Sequence, residues 1–198
     1  VQTRGGTLYW DSDVNAANNV LTGAGLGGGG IWINGTGSNW WDGTSLAPNT
    51  LSVWNNAAND IAVFTGTAAP AANPVFLGSG ITVGGLQFNT TGYVIGIASN
   101  ANTLTFGGVT NNIVLNNIAA ATINGSLGGS GNVVLTGGAF GGVVAGTLTL
   151  GGSATGLTGH TGSTTINNGM TMALSGNSQA LVSTSGITLN GGGITLTN

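Results

Sequence analysis

The sequence predicts an all-β protein that coils as a β-solenoid, and two observations support this prediction. Short segments alternate apolar residues with threonine, as in Thr147-Leu148-Thr149-Leu150, so each strand has one apolar face to bury. The same unit recurs and ends in a glycine pair or Asn-Gly, and strands this short stack as rungs of a coil more readily than they form a sandwich. The recurring units lie at residues 80–85, 103–108, 133–138, 146–152, 186–192 and 193–197.

The composition excludes several classes of partner. Of the 198 residues only 3% are charged, with one Lys or Arg, four acidic residues and a formal net charge of −3. One basic residue cannot neutralise a run of phosphates, so we expect neither nucleic-acid binding nor attachment to an anionic membrane surface. There is no apolar run of about 18 residues, so this segment is not expected to insert into a membrane. Cysteine is absent, which removes disulfides and thiolate metal ligands.

Residues 1–72 differ in composition from the rest and are predicted to form a Trp-rich N-terminal β module or cap. They hold every formal charge and all five tryptophans, which are Trp10, Trp32, Trp40, Trp41 and Trp54. A cap covers the apolar end and the unpaired backbone groups of a first rung. Pro70 and Pro74 mark a junction, since proline cannot donate to a strand ladder, and residues 73–198 are predicted to form the β-solenoid repeats.

The spacing of the strand-like segments predicts the size of one turn. In the module they lie at residues 7–10, 30–33, 38–43, 51–56 and 59–66. After the junction they lie at 75–77, 81–83, 85–89, 93–95, 104–106, 113–116, 121–124, 133–135 and 143–144, followed by the units from residue 146 onward. The strand-like segments start about every 8 to 14 residues. This spacing predicts two or three strands and about 20 to 25 residues per turn. At ~4.8 Å between stacked strands, about nine turns form a rod of about 40 Å.

Residues 146–174 resemble the autotransporter-associated β-strand repeat, also called the passenger-associated transport repeat. The matching motifs are Gly-Thr-Leu-Thr-Leu at 146–150, Gly-Ser-Ala at 152–154, Leu-Thr-Gly at 157–159 and Thr-Thr-Ile at 164–166. Leu157 departs from the usual Tyr, and the segment 159–162 is longer than the usual glycine pair. Upstream, residues 9–11, 39–40, 59–64 and 81–88 are similar to the region that precedes such repeats in large bacterial surface proteins. The resemblance implies a right-handed parallel β-helix exported to the cell surface, whose repeats serve mainly as stalk and scaffold.

The tryptophans are candidates for contact with a glycan or with an interface. Trp40, Trp41, Trp32 and Trp54 could stack on sugar rings, although packing inside a cap is the favoured interpretation because tryptophan buries a large apolar area. Adjacent residues of a strand face opposite sides. One of Trp40 and Trp41 is therefore expected outside or at an interface.

The few titratable residues predict no catalytic site, no metal site and no cofactor. Glycoside hydrolysis needs two carboxylates about 5 to 10 Å apart, but Asp11, Asp13 and Asp42 stand in turn-like contexts where Asp bonds to its own backbone. His160 has no partner of its kind and is expected to be a solvated loop residue. Glycine pairs are not followed by Asp, so repeats of the calcium-binding type are not expected.

The last units predict an assembly edge formed by Ile187, Leu189, Ile194 and Leu196. A strand edge pairs with a complementary strand, so either more repeats follow in a longer chain or copies stack head to tail as a homopolymer. The sequence thus favours a non-enzymatic extracellular structural protein, a solenoid stalk or a self-assembling fibre subunit. The alternative is a surface adhesin that binds carbohydrate through its Trp-rich module, with surface glycans as partners.

The location predicted from sequence is extracellular or at the cell surface. The chain begins at Val1 without Met or an apolar leader, which favours a mature or truncated form of an exported protein. A polysaccharide hydrolase or lyase would need clustered carboxylates or basic groups on one solenoid face, and the repeat region contains none.

Overall fold

The computed structural model describes residues 5–44, 50–97, 102–116, 120–138, 145–151, 159–175 and 183–197. Their short strands wind into a β-solenoid of about 5 turns, which confirms the predicted all-β solenoid class. A 3₁₀ helix, Ala16–Asn18, follows the first strand. The strands are β1 (Thr7–Trp10), β2 (Gly30–Trp32), β3 (Trp40–Trp41), β4 (Leu51–Ser52), β5 (Ile61–Phe64), β6 (Val75–Leu77), β7 (Ile81–Val83), β8 (Gly85–Phe88), β9 (Tyr93–Ile95), β10 (Thr103–Phe106), β11 (Thr110–Leu115), β12 (Ala120–Asn124), β13 (Ser126–Gly129), β14 (Asn132–Gly137), β15 (Gly146–Gly151), β16 (Gly159–His160), β17 (Thr164–Asn167), β18 (Met170–Ser175), β19 (Ile187–Asn190) and β20 (Gly193–Thr197).

Three sheets form the sides of the solenoid. Sheet A has the strand order β19-β17-β14-β11-β8-β5-β1-β3-β4, sheet B the order β2-β6-β9-β12-β15-β18-β20, and sheet C the order β16-β13-β10-β7. From β5 to β18 the chain visits the three sheets in a fixed rotation, and strands of successive turns pair in parallel. In sheet A, for example, Leu86 pairs with Ile113, and Ile113 with Leu135.

The predicted number of turns, about nine, is wrong. The predicted turn length agrees with the structure, since three strands and their corners make one turn and the chain runs from Ile61 to Gly85, and from Thr110 to Asn132, before it returns to the neighbouring position. The number of turns is smaller than predicted because not all of the 198 residues belong to regular turns. About 5 turns at ~4.8 Å per turn correspond to a rod of roughly 25 Å. The predicted strand at 143–144 lies outside the described residues, as do residues 152–158 of the repeat motif.

The core is a column of apolar side chains between the three sheets. Alternation along each strand sets it up: in β15 Leu148 and Leu150 are buried, whereas Thr147 and Thr149 lie half-buried on the outer face. Each fully buried leucine contributes about 1.5–3 kcal/mol relative to an exposed one. Because every turn repeats the pattern in register, the buried residues stack into continuous rows. The row in sheet B begins with the buried Val75, Ile95, Ile123 and Leu150 and continues through the half-buried Leu174 to the exposed Leu196.

Glycine and asparagine form the corners between sheets. Gly96 has a φ of +73°, and a Cβ atom there would collide with the backbone oxygen of Asn124 in the next turn. Asparagine amides stack in the same direction as the strands: Asn116 Nδ2 donates to Asn89 Oδ1 at 3.2 Å. These contacts satisfy polar groups where the chain leaves a ladder, so turns stack closely at the corners as well as along the strands.

The first strands belong to the same sheet as the repeats. In sheet A, β5 lies between β1 and β8 and pairs in parallel with both. Among the described strands, the antiparallel pairs are β1 with β3 and β3 with β4. The division of the chain at residue 72 into cap and solenoid stays a prediction. Within the described residues, no helix has the length and apolar character needed to cross a membrane.

Candidate functional site

The N-terminal end of the core is filled by a cluster of aromatic side chains. The ring centroids of Trp32, Trp40 and Trp54 lie 4.6 to 4.8 Å apart in tilted and edge-on arrangements. Trp10 lies 5.2 Å from Trp40, and Phe64 lies 5.7 Å from Trp32. Such pairs add about 0.5–1.5 kcal/mol each beyond the burial of their area. The cluster is therefore a strong packing element of the first turn.

Among the described contacts, three of the five indoles donate their N–H group. Trp10 Nε1 donates to the backbone oxygen of Gly28 at 2.8 Å, and Trp54 Nε1 donates to that of Thr82 at 3.1 Å. Trp41 Nε1 donates to the backbone oxygen of Thr44 at 3.0 Å. Trp32 Nε1 is buried without a hydrogen-bond partner in the described structure, and a buried unpaired donor costs about 1–3 kcal/mol. Packing around Trp32 has to exceed that cost.

Trp40 and Trp41 are both only 1% exposed, so neither lies outside in solvent, which was one of the two positions predicted for one of them. The other position, at an interface, stays a prediction. Trp40 points into the core, and Trp41 lies on the other face of β3 as alternation requires. That outer face is covered locally, since Tyr9 lies 5.8 Å from Trp41 and the turn at Thr44 accepts its N–H. Trp32 and Trp54 are fully buried as well. None of the four predicted contact residues is accessible to a sugar ring in this structure, and glycan binding by the chain stays a prediction.

The predicted edge residues are the core-facing side chains of the last described rung. Leu189 pairs with the buried Ile166 in sheet A, and Leu196 pairs with Leu174 in sheet B. Leu189 is 53% exposed and Leu196 is 80% exposed, although their partners are buried or half-buried. Ile187 is also exposed, while Ile194 packs against the core. These four side chains form the apolar surface that we call the terminal rung face.

A shallow groove of about 350 Å³ crosses the outer side of sheet A over β5, β8 and β11. Three of its lining residues, Gly84, Gly85 and Gly108, carry no side chain. Its other lining residues are neutral: Gly5, Asn59, Ile61, Leu86, Gln87, Val109, Thr110, Asn112 and Val114. Sequence reasoning missed this groove, and the only signal for it was the Gly84-Gly85 pair ahead of an outward-facing Gln87.

The aspartates make the local backbone bonds that the sequence predicts. Asp42 Oδ1 accepts the N–H of Thr44 at 3.0 Å, and Asp13 Oδ1 accepts that of Asn15 at 2.9 Å. Burial raises the pKa of Asp11 and of Asp60, whereas the hydrogen bond from Asn18 lowers the pKa of Asp13. Among the described residues, no group of three or more His, Asp or Glu side chains could hold a metal ion.

His160 is not the solvated loop residue that the sequence predicts. It lies in β16 opposite Gly129 and is only 2% exposed. Its ring meets Phe106 edge-on with centroids 6.2 Å apart, and the backbone of Ser163 and Gly129 lies beside the imidazole. Burial lowers the pKa of His160. The side chain serves as a neutral core residue of sheet C.

The fold and the surfaces above define a β-solenoid, a class built by stacking turns along one axis. Over an alignment of 150 residues the chain is 37% identical to the Adhesin BmaC autotransporter of Brucella suis biovar 1 (strain 1330), a match that covers 66% of this chain and 4% of that protein. The chain thus spans a small fraction of the length of this relative. No protein-family model and no solved structure match the chain, and membership of the autotransporter-associated repeat family stays a prediction.

Proposed function

We propose that this chain is a non-enzymatic stalk segment of an extracellular, surface-exposed bacterial adhesin, and that its terminal rung face is where a further β-rung stacks. The observation that carries the proposal is the unbroken apolar column, whose rows of matched residues run through every described turn. A solenoid of this kind spans distance because each turn is stabilised by its neighbours. The similarity to an autotransporter adhesin supports an extracellular structural or adhesive role.

The chemistry of the chain supports the non-enzymatic part of the proposal. Asp11 and Asp13 share one loop and are engaged by backbone and amide donors, so they do not oppose each other across a substrate cleft. His160, the single histidine of the chain, is buried.

The terminal rung face supports the stacking part of the proposal. Its leucines stand in register with the rows beneath them, so a further rung of the same pattern would bury them in the way that β14 and β17 bury each other's core residues. Charged groups are nearly absent from the chain, so little electrostatic repulsion opposes the approach of such a rung. The occupant would be a further repeat in a longer chain, and at high concentration a second copy can take its place head to tail.

Sedimentation velocity over a concentration series tests the stacking. We expect the purified chain to associate as concentration rises, and we expect the double variant Leu189→Lys with Leu196→Lys to remain monomeric. Val109→Lys is the matched control, since Val109 is 71% exposed but lies on the side of the solenoid. Association that persists in the double variant would contradict the proposed face, and a wild type that stays monomeric at all concentrations would contradict the head-to-tail stacking of copies.

A second candidate function is carbohydrate binding, and the groove on sheet A favours it over the buried tryptophans. Asn112 and Thr110 are exposed there, and Gln87 Nε2 donates to Asn89 while its oxygen has no partner among the described contacts. Amides and hydroxyls beside apolar Ile61 and Val114 suit a neutral polyhydroxylated ligand.

A glycan array on the whole chain separates the two functions. Binding that is lost in Asn112→Ala but kept in Trp41→Phe would support the groove. An array without any signal would leave the structural role as the whole function of this segment.

A further inference from the structure

The first strand of sheet C has one side without a neighbouring strand, because among the described strands β7 pairs with β10 alone. In a parallel ladder, alternate residues direct their N–H and C=O groups to the same side. On the free side of β7 these groups are the carbonyl oxygen of Gly80, both backbone groups of Thr82 and the N–H of Gly84. A row of unpaired groups at a sheet edge is a template on which a strand of another chain can pair.

The side chain of Asn56 takes the place of a peptide group on this side of β7. Its Oδ1 accepts the N–H of Thr82 at 2.8 Å, and its Nδ2 donates to the carbonyl oxygen of Gly80 at 3.0 Å. A primary amide offers the same kinds of donor and acceptor as the backbone of a neighbouring strand. The backbone of Asn56 is held in turn, because its N–H donates to Asn34 Oδ1 at 2.8 Å. One side chain thus occupies two of the four groups that a pairing strand would use.

The other two groups on the free side of β7 are engaged as well. Trp54 Nε1 donates to the carbonyl oxygen of Thr82 at 3.1 Å, and the N–H of Gly84 donates to the backbone oxygen of Asp60 at 2.8 Å. Trp54 is fully buried and belongs to the aromatic cluster of the first turn. Asn56 is only half-buried. Its amide can therefore be removed to open this edge without emptying the core.

We propose that the Asn56 side chain is an edge cap that limits strand pairing between copies of the chain, and that the partner it holds off is the C-terminal end of a second copy. The inference rests on the proposed stacking, in which the terminal rung face of one copy meets the N-terminal end of the next. While the edge cap is in place, that contact forms without backbone hydrogen bonds to the free side of β7. Stacking of separate copies is thereby confined to high protein concentration. A further repeat of the same chain joins at the terminal rung face, where it does not meet the edge cap.

The composition of the chain explains why a side-chain amide has this role. Edge strands are commonly protected by charged residues or proline, but β7 consists of Ile81, Thr82 and Val83 and contains neither. The sequence is only 3% charged, so charge repulsion does little to keep copies apart. A second copy also suits the edge in direction, since the strands of sheet C pair in parallel and head-to-tail stacking keeps that direction. The edge cap therefore protects β7 by occupying its hydrogen-bonding groups.

Sedimentation velocity of the variant Asn56→Ala, over the same concentration series as the wild type, tests the proposal on the whole chain. We expect the variant to associate at concentrations about tenfold lower, because the uncovered groups of Gly80 and Thr82 pair with the second copy. Asn56→Ser also removes the amide and is expected to behave in the same way, which keeps the test valid if the alanine variant does not fold. The matched control is Asn55→Ala, which should associate as the wild type does, since Asn55 Oδ1 accepts the N–H of Ala57 within its own turn.

Hydrogen exchange of single backbone amides distinguishes an opened edge from a general loss of stability. In dilute Asn56→Ala, the amide of Thr82 should exchange about tenfold faster than in the wild type, because its acceptor is gone. The amide of Gly107 donates to Val83 on the paired side of β7 and should keep its wild-type rate. As the variant associates at higher concentration, exchange at Thr82 should slow again, since a strand of the second copy then accepts its N–H.

A combined variant, Asn56→Ala with Leu189→Lys and Leu196→Lys, separates this inference from the proposed stacking. Loss of association in the combined variant would support the C-terminal end as the partner, whereas association that persists there would overturn it. Equal association of Asn56→Ala and wild type, or none in either, would overturn the edge cap. The proposed stacking is judged separately, by the response of the otherwise unchanged chain to the two lysines.

Discussion

The two ends of the described solenoid differ in how their core-facing side chains are covered. At the first turn, Trp32, Trp40 and Trp54 close the core and are at most 1% exposed. At the last described rung, Leu189 and Leu196 keep the core-facing register and remain more than half exposed. The rung pattern alone therefore places a side chain toward the axis, but only a neighbouring layer buries it.

At the first turn, the layer that covers the core is formed by a strand that runs in the opposite direction. β3 runs antiparallel to β1 and carries Trp40 over the end of the column, and the edge strand β4 is only two residues long. A short edge strand offers few backbone groups to another chain. The closed end is thus protected both in its side chains and in its backbone.

The largest expected loss of stability comes from removing a side chain of the aromatic cluster at the N-terminal end. Trp40→Ala removes the indole that contacts Trp10, Trp32, Trp54 and Phe64, and we expect a loss of about 3–5 kcal/mol in the free energy of unfolding. Equilibrium unfolding in urea measures it. A loss below about 1 kcal/mol would show that the cluster does not hold the first turn, and the contrast between the ends would disappear.

Substitutions at the corners of the solenoid should lower the stability less than Trp40→Ala does. Two glycines with similar φ angles allow the cost of the backbone conformation to be distinguished from the cost of a steric clash. Gly96→Ala and Gly35→Ala both place a side chain at a φ near +75°, but only Gly96 faces the backbone oxygen of Asn124. A Cβ at Gly35 meets nothing within 4 Å. We expect a cost of about 1–2 kcal/mol from the backbone conformation at Gly35, and a clearly larger cost at Gly96. Equal midpoints of urea unfolding for the two variants would contradict close stacking at the corner.

Strand alternation made most of the fold predictable from the sequence. β1, β6, β7 and β9 occupy the predicted residues, because each combines β-branched or aromatic residues with flanking turn residues. β13 (Ser-Leu-Gly-Gly) and β16 (Gly-His) were missed because their composition favours turns. Their pairing with β10 and with each other is imposed by the neighbouring turns.

The candidate site was less predictable, since a pattern indicates which face a side chain occupies but not what covers that face. Alternation correctly put Trp40 and Trp41 on opposite faces, yet Tyr9 comes from another strand to cover Trp41. The burial of His160 likewise depends on Phe106 from a different turn. The local bonds of Asp11 and Asp13 were predictable because their partners lie within a few residues.

The next prediction concerns pH and the middle of the column. Burial lowers the pKa of His160, so below its ordinary value of 6.5 the unfolded chain takes up a proton that the folded chain resists. Stability should therefore fall as pH decreases from about 6.5, by at most about 1.4 kcal/mol per pH unit for one proton. The charged residues of the sequence all precede residue 61, so none is adjacent in sequence to His160.

The variant His160→Phe isolates this dependence. Asp11 and Asp60, whose pKa burial raises, act with the opposite sign, since protonation from their raised pKa down toward 3.8 stabilises the folded state. Their contribution is common to both proteins and cancels in the difference. Urea midpoints of wild type and variant measured from pH 5 to 8 should diverge only below about 6.5. Parallel profiles would mean that His160 is protonated or solvated in the folded chain.

The smallest expected change in stability is at the last described rung, whose leucine is uncovered, in comparison with the same position in a covered rung. Leu150 and Leu196 occupy the same row of sheet B, two turns apart, with 1% and 80% exposure. Leu150→Ala should cost about 2–5 kcal/mol because it leaves a cavity, whereas Leu196→Ala should change stability by no more than about 0.5 kcal/mol. Urea unfolding at low protein concentration compares them. A large loss at Leu196 that grows with protein concentration would mean that another copy covers the terminal rung face, because only association makes the stability of a rung depend on concentration.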